Sequence, residues 1–145
     1  MSGFFGVVSG HNCVEDVFYG TDYHSHLGTK RAGMVFSTSG KGFWRSIHSI
    51  ENAYFRNKFE QEISGLESNM GIGIISDTDP QPIVFNSHLG PFSIVTVARL
   101  VNISELEKYF LDKKIHFAEN FEGNVNPTEI VANLICEKDD FVSGI

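Results

Sequence analysis

The chain opens on Met1-Ser2-Gly3-Phe4-Phe5-Gly6-Val7-Val8, an apolar strand at its very start. Phe and Val suit extended backbone, and a run without polar alternation predicts a strand buried on both faces. Gly3 and Gly6 let neighbouring backbone come close. Chain ends usually fray, so a core strand seldom begins at residue 2. One reason to place it there is chemical: a Cys, Ser or Thr at the tip of a first strand can attack with its own free α-amine as base.

The rest of the chain supplies further elements. Met34-Val35-Phe36 and residues 42–47 flank a Gly/Ser turn at 37–41, which predicts a hairpin over 33–47. Residues 70–75, 83–85 and 92–98 read as further strands, and Asp77-Thr78-Asp79-Pro80 reads as a tight turn. Val14, Val17 and Phe18 have helical spacing, as do Phe59, Ile63 and Leu66 over 57–66. Ser104 and Glu107 stand at capping-box spacing before a helix that presents Leu106, Tyr109, Phe110 and Lys113. Asn126-Pro127-Thr128-Glu129 is a strong helix start, and that helix should bury Ile130, Val131, Leu134 and Ile135. No element is predicted after it. Strands with interleaved helices imply one α+β domain over residues 1–145 with mostly antiparallel sheet. Thirteen Phe residues point to a well-filled core.

Composition removes several function classes. A net charge of −7 opposes nucleic acid as a main partner, because phosphate binding needs clustered Lys and Arg. No apolar run approaches the ~18 residues of a membrane span, and no signal peptide is recognisable. Cys13 and Cys136 lie outside any CxxC or zinc spacing, so reduced thiols in a cytoplasmic protein are expected. Asp22, His24 and His26 lack further ligands at metal-site spacing. Gly71-Ile72-Gly73 lacks the third glycine and the helix start of a dinucleotide loop. Neither metal nor cofactor is expected. Lys30, Arg31 and Arg99 read as solvent-facing, and His88 as capping a hairpin turn.

Taken in order, several fragments resemble the glutaminase domain of the amidophosphoribosyltransferases, class II glutamine amidotransferases of purine biosynthesis. That family opens Met-Cys-Gly-(Ile/Phe)-Phe-Gly-Val, and Met1 to Val7 is similar except at Ser2. Its His-Arg-Gly-Gln stretch resembles residues 26–33, and its Gly-(Ile/Val)-Gly-His-(Val/Thr)-Arg-Tyr strand resembles 71–77. A Gln-Pro pair recurs at Gln81-Pro82, a Ser-His-x-Gly turn within 86–90, and the family's Ser-Asp-(Thr/Ser)-Glu helix start is similar to 126–129. The resemblance implies the N-terminal-nucleophile (Ntn) architecture, an αββα sandwich of two mostly antiparallel sheets between helical layers. It also implies that the chain is an amino-terminal fragment followed by a phosphoribosyltransferase domain.

The same matching implies that the family's chemistry is missing. Ser2 stands where the family has its nucleophilic Cys, and a hydroxyl is a poorer nucleophile than a thiol at neutral pH. Ser76 stands where the family has the Arg that holds the glutamine carboxylate, and Asp77 replaces the following Tyr. The Asn-Gly pair of the oxyanion hole falls on Val97-Ala98. The Asp that holds the substrate amino group falls on Pro127. Val97 has no side-chain donor, and losing one such donor costs about 100- to 1000-fold in rate. Asp77 adds negative charge where a carboxylate would bind. The resemblance therefore implies an amidotransferase-like domain without glutaminase activity. Two other readings stay open: a Ser2-dependent Ntn amidohydrolase, and a module that binds another small molecule in the old glutamine pocket. Neither nucleic acid nor membrane is an expected partner, and assembly into identical subunits is left open.

Overall fold

The computed structural model describes residues 1–28 and 30–145. Strand β1 (Gly3–Val8) pairs with β4 (Met70–Ser76), with Gly3 opposite Ile75 and Val8 opposite Met70. Strands β2 (Arg31–Thr38) and β3 (Gly42–Ser49) form the expected hairpin, which is longer at both ends than 33–47. The four make one antiparallel sheet in the order β1-β4-β2-β3.

One expectation about β1 is overturned. It is an edge strand rather than one buried on both faces: Phe4 is 52% exposed and Val8 81%. Apolar side chains favour extended backbone, but they carry no information about how many neighbours arrive. The buried centre of the sheet is β2 and β4, where Met34, Phe36, Ile74 and Ile75 have no exposed surface.

Helix α1 (Val14–Tyr23) and the short α2 (Phe55–Phe59) cover one face of the sheet. Val17 and Phe18 of α1 and Phe55 and Phe59 of α2 pack there with Ala32, Met34, Phe36 and Ile75. The approach of α1 depends on Gly73: a Cβ there would lie 2.0 Å from Thr21 Oγ1. The helix expected over 57–66 spans only Phe55–Phe59. Beyond it the chain runs through hydrogen-bonded turns, with Ile63 N–H on Phe59 O at 3.1 Å, until Gly65 adopts φ +77°. Phe59, Ile63 and Leu66 still reach one core, because the turns keep their spacing.

The other face is only partly covered. The hairpin of β5 (Ile83–Ser87) and β6 (Gly90–Ile94) begins the second layer. Residues 95–98, expected in strand, are irregular. Gly33 lets this layer press on the sheet, since a Cβ there would lie 1.9 Å from Gln81 O. Helix α3 (Ile103–Asp112), the small ribbon of β7 (Asn120–Phe121) and β8 (Asn124–Val125), and α4 (Pro127–Ile135) enclose a second core around Phe110, Val125 and Ile130.

Ser104 does not head a capping box, because α3 starts one residue earlier and Asn102 sits at its cap without a side-chain bond. The start of α4 is as expected: Asn126 Oδ1 accepts the Thr128 N–H at 2.9 Å, and Pro127 is the first helical residue. Ile130 and Ile135 are buried, while Val131 and Leu134 are half-buried. A final helix, α5 (Phe141–Gly144), was not legible in the sequence; Phe141 meets the Phe92 ring edge-on at 5.1 Å. His88 does not cap its own turn but contacts Lys138 O at 2.8 Å, tying the β5–β6 turn to the end of α4. The antiparallel sheets and helices form an α+β domain. Among the described residues no helix is long and apolar enough to cross a membrane.

Candidate functional site

Three of the residues singled out by sequence meet where β1 begins and β4 ends. The Asp77 N–H donates to Ser2 Oγ at 3.4 Å. The Asp77 carboxylate forms an ion pair with the Met1 ammonium and accepts the Lys30 N–H at 3.2 Å. Ser76, 1% exposed, points inward. Its Oγ accepts the Thr78 N–H at 3.2 Å and donates to Asp79 O at 3.1 Å.

Behind Ser76 lies a buried polar network that joins three segments. Asp79 is 3% exposed, and its two carboxylate oxygens accept the hydroxyls of Thr78 at 2.8 Å and Thr128 at 2.7 Å. Thr128 has one hydroxyl proton, which Asp79 takes. At 2.6 Å from Thr128 Oγ1, the Thr96 hydroxyl is therefore the donor. Gln81 holds Thr96 from the other side: its Oε1 accepts the Thr96 N–H at 2.6 Å, and its Nε2 donates to Thr96 O at 3.1 Å. Asn126 Nδ2 closes the ring on Pro80 O at 2.9 Å. Hydroxyls, not cations, satisfy the Asp79 carboxylate; among the described residues it takes part in no ion pair. Such a group is stable only while its donors stay in place.

The remaining candidates lie differently. Pro127, half-buried, is beside the network as the first residue of α4. Val97 and Ala98 are not drawn in: both are exposed, Val97 by 49%. Gln81 explains why. By bonding both backbone groups of Thr96 it replaces the strand partner that β6 would need to continue, and the chain turns outward.

Arg31 is not a free solvent-facing residue, since its guanidinium donates to Thr78 O at 2.9 Å and lies over the Phe121 ring. Asp22 is taken by Arg56 at 2.7 Å, and Tyr23 stacks edge-on with both His24 and His26. Among the described residues no three His, Cys, Asp or Glu side chains gather as a metal site would require. Asp79, Gln81, Thr96 and Thr128 escaped the sequence reading, which saw a turn, a Gln-Pro pair, a strand and a cap. Only their polarity beside apolar strands hinted at a shared buried centre.

Chemically, the group bonded to Ser2 Oγ is a donor and not a base. A cavity of about 380 Å³ lies at the other end of β1, on the partly covered face of the sheet, between Val8, Val35, Ile72 and Phe92.

No family model matches the chain, and no curated protein matches its sequence. Solved structures do match its shape. Glutamine phosphoribosylpyrophosphate amidotransferase from B. subtilis, complexed with ADP and GMP, superposes with a TM-score of 0.75 at 21% identity over 96% of this chain. A structure described as the allosteric regulatory enzyme of purine biosynthesis gives 0.74, also at 21% identity over 96%. The fold is of the Ntn type. The chain spans 30% of the length of each of these two proteins.

Proposed function

We propose that the chain is a glutamine-amidotransferase-type domain of an amidophosphoribosyltransferase-like protein of purine biosynthesis, and that it does not hydrolyse glutamine. The fold shared with a glutamine phosphoribosylpyrophosphate amidotransferase and with an allosteric regulatory enzyme of purine biosynthesis supports the first half. The surroundings of Ser2 support the second. One observation carries it: Ser2 Oγ is paired with the Asp77 N–H, so the hydroxyl at the tip of β1 faces a donor where attack needs a base.

The neighbouring positions agree. Ser76 spends its hydroxyl on the turn to Asp79 and offers no cation to a carboxylate. Asp77 brings a negative charge beside it. Val97 and Ala98 stand at the surface without side-chain donors, and Pro127 has neither carboxylate nor N–H. Losses of this kind act on one reaction and compound, though not additively. In this reading the domain belongs to a longer cytoplasmic polypeptide with a phosphoribosyltransferase part, and its own role is structural or one of coupling to that part.

The test is a glutaminase assay on the purified chain, following glutamate and ammonia release. No turnover above the uncatalysed rate is expected. Turnover comparable to that of an active class II amidotransferase would overturn the proposal.

A further inference from the structure

The turns that follow α2 are tied to the sheet through one carboxylate. Ser46 and His48 stand two residues apart on β3, so both lie on one face of the sheet. Opposite them on β2 are Met34 and Ala32, which belong to the core under α1 and α2. Glu62 reaches the pair from the turns: its Oε2 accepts the Ser46 hydroxyl at 2.5 Å, and its Oε1 lies 2.7 Å from His48 Nε2. A carboxylate oxygen only accepts, so His48 Nε2 carries the proton of the second bond. The imidazole also meets the Phe59 ring edge-on at 4.9 Å. Among the described residues, no other side-chain hydrogen bond joins residues 60–66 to the sheet. The next polar anchor along the chain is Ser68, whose Oγ lies 2.5 Å from Ser37 O.

We infer that Ser46, His48 and Glu62 form a pH-sensitive catch, which holds residues 60–66 on the core beneath them most firmly when the imidazole is charged. An imidazole changes charge between about pH 5 and 8. Charged, it makes an ion pair with Glu62; neutral, with Nε2 still protonated, it donates a bond about half as strong. Burial opposes the ionised form of Glu62, but hydrogen bonds from Ser46 and His48 outweigh it and hold the carboxyl below its usual range. The carboxylate therefore persists while the imidazole takes up its proton, and the two opposite charges coexist in mild acid. The catch weakens on both sides of that window: as pH rises and the imidazole loses its charge, and as pH falls through the Glu62 value. Neighbouring charges are engaged elsewhere. Arg56 of α2 is held by Asp22 of α1, Arg45 of β3 by Glu119, and Glu51 accepts the Ser49 hydroxyl. Among the described residues, Lys58 and Glu60 make no bond to the pair, and β2 presents only Ala32 and Met34 opposite it. What the catch holds shut is apolar: Ile63, next to Glu62, is buried in one core with Phe55 and Phe59.

Amide hydrogen exchange of the full chain at about pH 6 and about pH 8 tests this, each rate being divided by that of an unstructured peptide at the same pH. The Ile63 N–H, bonded to Phe59 O at 3.1 Å, reports on the turns, and the amides of β2 report on the sheet. Protection at Ile63 should be about two- to fivefold greater at the lower pH, the range of a partly exposed ion pair, with no matching change in β2. His48→Gln keeps a neutral donor, and Glu62→Gln keeps the shape without the charge. Each should abolish the difference between the two pH values at unchanged circular dichroism. Glu62 is exposed on its turn, so Glu62→Gln decides alone if His48→Gln does not fold. Equal protection of Ile63 at both pH values in the unaltered chain would overturn the inference. So would a pH difference that survives in Glu62→Gln, or one matched in size by the amides of β2.

Discussion

The hydroxyl of Thr128 donates to Asp79 Oδ2 at 2.7 Å, joining the first turn of α4 to the turn that follows β4 across 49 residues of sequence. Both residues are buried, so the bond is shielded from water and its loss is not made good by solvent. Thr128→Val keeps the shape and removes the donor, leaving Asp79 short of a partner and the Thr96 hydroxyl without its acceptor. The expected loss is about 1–3 kcal/mol of unfolding free energy, measured by urea titration.

Gln81 O comes so close to Gly33 that a Cβ at residue 33 would lie 1.9 Å from it. A methyl group at residue 33 would meet a backbone oxygen, which cannot rotate away. Gly33→Ala should destabilise the fold by about 1–3 kcal/mol, and the amide of Thr96, which Gln81 holds, should exchange faster with solvent. Unchanged exchange at Thr96 would mean that the layers are not coupled at this contact.

Restoring the nucleophile alone should not restore the reaction. Ser2→Cys, with the initiator methionine removed, supplies a thiol and a free amine. The positions at Ser76, Val97 and Pro127 still lack a cation, a donor and an anion. One missing oxyanion donor already costs about 100- to 1000-fold. The variant should release no ammonia from glutamine above background, and ammonia release at the rate of an active relative would show that the other positions do not matter.

Stability should fall in acid partly through Glu137. Hydrogen bonds from Lys113 and then Tyr109 hold its carboxyl below the usual carboxylate range. A depressed folded pKa means the stabilisation is complete above the unfolded value of about 4.5 and is lost as pH falls through the folded value. Glu137→Gln should flatten that part of the profile, read as the difference between urea midpoints at neutral and acid pH. An unaltered acid slope in the variant would remove Glu137 from the account.

Local signals in the chain were reliable where a few adjacent residues settle the outcome. Asn126-Pro127-Thr128-Glu129 predicted the start of α4 because capping is decided within one turn. The hairpin of β2 and β3 was legible from two apolar runs around a Gly/Ser turn. The helix over 57–66 and the capping box at Ser104 were misread for the converse reason. Several local patterns fit those stretches, and packing against the sheet chose among them. The placement of Val97 and Ala98 could not have been read at all, since it depends on a glutamine fifteen residues away that bonds Thr96.

By itself, then, the sequence determined the α+β class, most strands and helices, and the polar, uncharged side chain at the tip of β1. Periodicity and capping are properties of neighbours along the chain. Only the tertiary structure decided that β1 is an edge, that Ser2 faces an N–H, and that Asp79, Thr96 and Thr128 share one buried centre. Those facts depend on which distant segments meet, and a buried polar atom acquires its partners only when they do.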